Sequence, residues 1–341
     1  MSKIKPTKIK IEASSVCQLK CPSCPTASGK TRPTLGWGFL TLEHFQQVVD
    51  ENPWVSHVEL SNYGEILLNP NLLEILEYAY RRGVTLSARN GVNLNNVKAE
   101  VLDGLAKYRL RHMTCSIDGA SQSTYIQYRV GGNFDRVIEN IRTLNTFKQI
   151  HRTRYPHLRW QFVVFGHNEH EIPLARAMAD ELGMEFKPKL NWDPLKSPIR
   201  NEEYVRRELG VASRDEFRQT HGRDYASLSC TSLWTSPQIN WDGQVLGCAR
   251  NFWGTFGGNV FEDGVDAGIN SEGIQYARDM LQGRRAARDD IPCSTCDIYT
   301  DMRENGRWLV APVQRTLAGR ARYALKSTGV PRALRGLTNR A

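Results

Sequence analysis

Between residues 8 and 192 short strand-like runs alternate with helix-like ones, and this rhythm narrows the fold of the 341-residue chain more than any other feature. Runs 8–14, 57–62, 84–91, 111–119, 158–166 and 184–192 read as strands. Apolar residues at helical spacing follow over 39–52, 69–83, 95–108, 134–150 and 170–183. Thr41 is placed to cap the first of these helices, and Glu43 puts negative charge in its first turn, where the helix dipole favours it. Strand–helix pairs at this rhythm imply parallel strands joined by right-handed crossovers. Six units are too few for a closed eight-fold barrel. The expected fold is therefore α/β, a partial (β/α)6 TIM-like barrel over residues 1–200. In such sheets ligands sit beyond the carboxyl ends of the strands. The loops 17–24, 63–65 and 90–91, Asp118, and the pair 167–168 all fall there.

Residues 201–228 are polar and charged and read as a connector with one helix. From Cys230 the composition changes, and 232–251 reads as a hairpin about Asp242 and Gly243. The net charge of +9 is concentrated at the end, with nine Arg or Lys against one Glu from Arg303 onward. Such a tail, 301–341, suits nucleic acid, an acidic partner or an anionic membrane surface. Its Leu309, Val313, Leu317 and Ala321 stand at helical spacing, so weak, salt-sensitive contact with an anionic surface is expected. No apolar run nears 18 residues, so no transmembrane segment is expected. The basic N-terminus lacks the apolar core of a secretory signal. The expectation is a cytoplasmic protein, in which eight clustered cysteines mean metal rather than disulfides.

Cys17, Cys21 and Cys24 stand at C-x3-C-x2-C just behind the first strand. A closed zinc site wants four ligands, and a disulfide framework wants an even number. Three thiolates can grip three irons of a cubane cluster and leave the fourth iron for a small molecule. This spacing after a first strand resembles the radical SAM superfamily signature CxxxCxxC. About 40 residues later Asn62-Tyr63-Gly64-Glu65 stands where that superfamily has its GGE motif. The resemblance implies a [4Fe-4S] cluster on the three cysteines, with S-adenosyl-L-methionine chelated to the open iron. One electron, from a reductase such as flavodoxin or ferredoxin, then cleaves the sulfonium to a 5′-deoxyadenosyl radical that abstracts a substrate hydrogen. It further implies that Tyr63, Gly64 and Glu65 bind the cofactor, with Glu65 receiving its ammonium. Ser116 and Arg129 are implied near the methionine carboxylate, Asn90 at the end of strand three, and Gln161 toward the ribose. Two positions depart from the family pattern: Ser23 replaces the usual large residue before the third cysteine, and Tyr63 replaces the first Gly.

Cys230, Cys248, Cys293 and Cys296 follow as C-x17-C-x44-C-x2-C. Four such ligands describe a closed site, either zinc or a fully ligated cluster. Behind a radical SAM barrel the pattern resembles the twitch form of the SPASM domain, a small α+β domain expected over 229–300, with one auxiliary [4Fe-4S] cluster. The resemblance implies an oxidoreductase that takes two electrons from a small molecule such as a sugar or cyclitol, with the auxiliary cluster accepting one. His167 is a candidate proton acceptor. A peptide maturase and an epimerase are alternatives. With the barrel starting almost at residue 1, a non-peptide substrate is favoured. Strand alternation points Cys115 away from the site, as a buried structural residue. The alternative from another class is a zinc-stabilised protein that binds nucleic acid or an anionic surface.

Overall fold

The computed structural model describes residues 3–312. Of these, the residues up to Leu309 form one compact unit. The stripe positions Val313, Leu317 and Ala321, and the anionic contact expected of them, lie outside the described residues.

Six strands stand side by side and parallel in chain order: β1 (Lys8–Ile11), β2 (His57–Glu59), β3 (Thr85–Val92), β4 (His112–Ser116), β5 (His157–Val164) and β6 (Glu185–Leu190). Helices Leu42–Glu51, Leu72–Arg81, Ala99–Lys107, Phe134–Ile150 and Ile172–Glu181 separate them, as the rhythm of the sequence requires. Thr41 is extended and its hydroxyl accepts from the His44 amide at 3.2 Å, with Glu43 in the first turn. One side of the sheet sends Ile9, Ile11, Val58, Leu86, Met113 and Trp160 into a continuous core with helical Phe45, Ile75, Leu105 and Ile141. Burying each large apolar side chain contributes about 1.5–3 kcal/mol. Cys115 is fully buried on this side.

Two more strands extend the sheet at its β1 edge. β7 (Gln238–Ile239) runs parallel to β1, and β8 (Val245–Gly247) returns antiparallel to β7 through the Asp242–Gly243 turn. The order is β6-β5-β4-β3-β2-β1-β7-β8, an open sheet of eight strands, mostly parallel. The C-terminal segment shares the main core through Leu233, Ile274 and Met280. Asn240 Nδ2 and Trp241 Nε1 donate to the Leu35 carbonyl at 3.0 and 2.7 Å, pinning the chain that follows the first cysteine loop to this hairpin.

The structure differs from the sequence reading in two local respects. The connector holds two helices, Glu202–Leu209 and Arg214–His221, rather than one. Gly210, left-handed with φ 84°, ends the first, and the Ser213 hydroxyl caps the second by accepting from the Glu216 amide at 3.0 Å. The third strand, expected to end at Asn90 and Gly91, runs on through both to Val92, and its pairing with β4 shifts register there. Among the described residues no helix is long and apolar enough to cross a membrane.

Candidate functional site

The first cysteine loop leaves the carboxyl end of β1. Cys21 is buried and Cys17 and Cys24 are half-buried, all three packed against Leu19, Tyr128, Val163 and Phe165. The Cys24 amide donates to the Cys21 carbonyl at 3.0 Å, folding the loop back on itself. Burial pushes the Cys17 thiol up to about 12, and the charges of Glu65, Cys21 and Cys24 add to the rise. Burial also raises Cys21, but there the Arg129 cation pulls back. Arg129 Nη1 donates to Cys21 Sγ at 3.7 Å, while its Nε donates to Asp118 Oδ2 at 2.7 Å. Asp118 is itself fixed, accepting from the Val163 amide at 2.7 Å.

Two buried carboxyls anchor the loops around these thiols. Glu65 accepts from the Leu67 amide at 3.0 Å and the Asn93 amide at 2.6 Å, and burial pushes its carboxyl up to about 7. Asn93 in turn donates to Cys17 Sγ at 3.8 Å. Glu12, just past β1, accepts from the Tyr63 amide at 3.1 Å and the Gly64 amide at 3.2 Å, and burial pushes it up to about 8. A Cβ on Gly64 would stand 1.9 Å from the Ser14 carbonyl oxygen, so only glycine lets this turn close on the β1 end. The space beside Gly64 is therefore taken by the chain's own backbone. Glu12 and Asn93 escaped the sequence reading because neither belongs to a spaced motif, and only the topology brings them to the cysteines.

The remaining candidates lie along the same end of the sheet. Ser116 and Gln161 are cross-strand partners, both buried, and Gln161 Oε1 has no hydrogen-bond partner among the described residues. Asn90 is exposed, and its Nδ2 donates to Asn62 Oδ1 at 2.9 Å. His167 stacks on Phe165 at 5.2 Å, and its Nδ1 lies 2.8 Å from Ser197 Oγ. Burial and nearby cations lower its pKa, and its buried Nε2 has no partner among the described residues. Tyr63 meets Phe252 edge-on at 5.7 Å, and Phe252 meets Trp253 at 5.3 Å.

Trp253 lines the second cysteine group. Cys230, Cys248, Cys293 and Cys296 surround one largely enclosed cavity with Leu233 and Phe256. All four are free thiols, so no disulfide competes for them. Burial raises Cys293 far above a free thiol, and each of the other three thiols raises it further. Four thiolates here would need a cation among them. Among the described residues no three His, Cys, Asp or Glu are gathered tightly enough to hold a single metal ion. The donor chemistry of the first group, three cysteines with an amide and a guanidinium at their sulfurs, fits an iron–sulfur cluster, and that of the second, four cysteines around a cavity, fits zinc or a fully ligated cluster.

Residues 11–171 match the Radical SAM superfamily, and the chain thus carries a radical SAM domain over that span. Among particular proteins, the mycofactocin maturase MftC of Mycobacterium ulcerans (strain Agy99) is 28% identical over 180 residues, 52% of this chain and 45% of the maturase. The matched region thus spans less than half the length of that relative. Among solved structures, Streptococcus suis SuiB bound to S-adenosylmethionine superposes with a TM-score of 0.60 at 16% identity, covering 86% of this chain and 71% of SuiB. BtrN in complex with AdoMet and 2-DOIA gives 0.51 at 14% identity, covering 87% of this chain and 94% of BtrN. At these identities the likeness to the solved structures is one of fold.

Proposed function

We propose that this chain is a two-cluster radical SAM enzyme that removes two electrons from a small molecule, with residues 229–300 holding the second cluster as a twitch-type domain. When bound, the first cluster and S-adenosylmethionine supply one-electron sulfonium cleavage and, through it, hydrogen abstraction. Cys17, Cys21 and Cys24 would hold that cluster at the carboxyl end of β1. Asn93 donates toward Cys17 and Arg129 toward Cys21, offsetting thiolate charge where burial opposes it. Glu65 fixes Asn93, and Glu12 fixes the turn at Tyr63 and Gly64, so the cofactor would meet a preset surface. The unpartnered Gln161 Oε1 is an acceptor for a ribose hydroxyl, and Ser116 beside it a donor. His167, neutral and with Nε2 free, is the proton acceptor of this reading.

Tyr63 is the observation that carries the second cluster into the chemistry. Its carbonyl accepts from Thr26 Oγ1, two residues past Cys24, at 2.9 Å, and its ring meets Phe252, which meets the Trp253 that lines the four-cysteine cavity, so this residue bridges both cysteine groups. A closed four-thiol site suits electron acceptance, since it offers substrate no open position. A second reading keeps the same chemistry on a peptide. It is favoured by the relative named a maturase and by the fold shared with SuiB, which has been seen with its precursor peptide SuiA.

The test is iron and sulfide analysis of anaerobically purified protein, with 5′-deoxyadenosine measured after dithionite reduction. The proposal expects about eight irons per chain and S-adenosylmethionine-dependent 5′-deoxyadenosine. Zinc in place of iron, with no absorbance near 400 nm, would instead support a zinc-stabilised binding protein.

A further inference from the structure

The side of the sheet that its helices leave uncovered is lined with cations. Alternation along each strand sets Lys8 and Lys10 of β1, Arg159 of β5, and Lys187 and Lys189 of β6 on the same face as Ser116 and Gln161. The register joins them into rows. Lys10 pairs with Glu59, then come Ser87, His112 and His157; Thr114, Arg159 and Glu185 form the next row, and Ser116, Gln161 and Lys187 the one above. Arg89 acts electrostatically on Lys8, His57, His112 and His157, which sets it at the centre of this face.

The two acids on these rows are already committed. Glu59 accepts from Ser61 Oγ at 2.8 Å, Ser87 Oγ at 2.7 Å and the Arg89 amide at 2.5 Å. Glu185 is paired with Arg159 at 2.8 Å. Among the described residues Lys8, Lys10, Arg89, Lys187 and Lys189 have no carboxylate within ion-pair distance, although Lys8, Lys10 and Lys189 are half-buried. Burial pushes those three lysines down. His57 is pushed to about 3 and His112 to about 4, first by burial and then by neighbouring cations. Unpaired charge of one sign along a face raises the local concentration of the opposite ion.

We propose that this inner face binds the phosphoryl part of a phosphorylated small-molecule substrate. The inference rests on the proposed function only in taking this face as the substrate side. Strands rise about 3.3 Å per residue, so Arg159 lies about 7 Å below the level of Ser116 and Gln161. The phosphoryl group sits at that depth, between Arg89 of β3, Arg159 of β5 and Lys187 of β6, while the rest of the substrate reaches up toward the first cysteine loop. Several cations on different strands suit an anion with many acceptor oxygens and more than one charge.

The experiment is calorimetric titration of the anaerobically purified full chain with inorganic pyrophosphate, at low and at moderate salt, against citrate as a polycarboxylate. Arg89→Gln/Lys187→Gln alters two exposed residues and leaves every basic residue of the C-terminal tail in place. Lys187→Glu is a second variant with a single reversed charge. Pyrophosphate binding that weakens with salt, and about tenfold or more in either variant, is the expected result. Absent binding, or binding by both variants as tight as that of the wild type, would overturn the proposal, as would tighter binding of citrate lost by the same changes. Titration needs no turnover, so protein that binds pyrophosphate but does not cleave S-adenosylmethionine supports this site and overturns the proposed function.

Discussion

Arg129 and Asp118 form a buried ion pair, Nε to Oδ2 at 2.7 Å, with the same guanidinium directed at Cys21 Sγ. Asp118 has no exposed side-chain surface and Arg129 only 13%. Removing the arginine therefore leaves a buried carboxyl and a buried thiol without their cation. Arg129→Ala should destabilise the protein by about 3 kcal/mol in denaturant unfolding. Arg129→Lys keeps the charge but loses the planar fork, and should recover part of the stability and little of the 5′-deoxyadenosine yield. Equal stability of the alanine variant and wild type would contradict this role.

Glu12 gives the fold a pH dependence of definite sign. Its carboxyl, ordinarily near 4.5, is pushed by burial to about 8 in the folded chain. Its contribution is complete below the unfolded value and is lost as pH rises through the folded one, because the unfolded chain ionises first. Glu65, raised by burial to about 7, acts in the same sense over a narrower window. Thermal melts should show Tm falling from pH 5 to 8, and Glu12→Gln should make the fall shallower by about 2 °C per pH unit. An identical slope in the variant would remove Glu12 from the account.

The second cysteine group separates two activities. Cys293→Ala/Cys296→Ala should lower the iron content by about half and the solubility with it, since metal ligation contributes on the order of 10 kcal/mol to such folds. Cleavage of S-adenosylmethionine should persist while substrate oxidation fails. Full iron retention in the variant would show that these thiols hold no cluster.

The strand–helix rhythm made the parallel sheet legible because each element has its own period, and the cysteine spacings were legible because ligands must converge. Contacts set by topology were not. β7 pairs with β1 across more than two hundred residues, Lys10 against Gln238, and no local pattern announces that partner. Glu12 reaches the amides of residues 51 and 52 positions away. That Gly64 must be glycine because the Ser14 carbonyl lies against it is likewise a contact that only the fold reveals. The cationic face needed the register as well, since lysines on β1 and β6 are far apart in sequence.

The central claim is that three cysteines on the β1 loop hold an open cluster, and replacing Cys17, Cys21 and Cys24 together with Ala tests it most directly. The measurement is 5′-deoxyadenosine from S-adenosylmethionine after dithionite reduction of anaerobically reconstituted protein. The account predicts that the triple variant keeps the second cluster, about half the wild-type iron, and forms no 5′-deoxyadenosine. Formation of 5′-deoxyadenosine at the wild-type rate by the triple variant would contradict it.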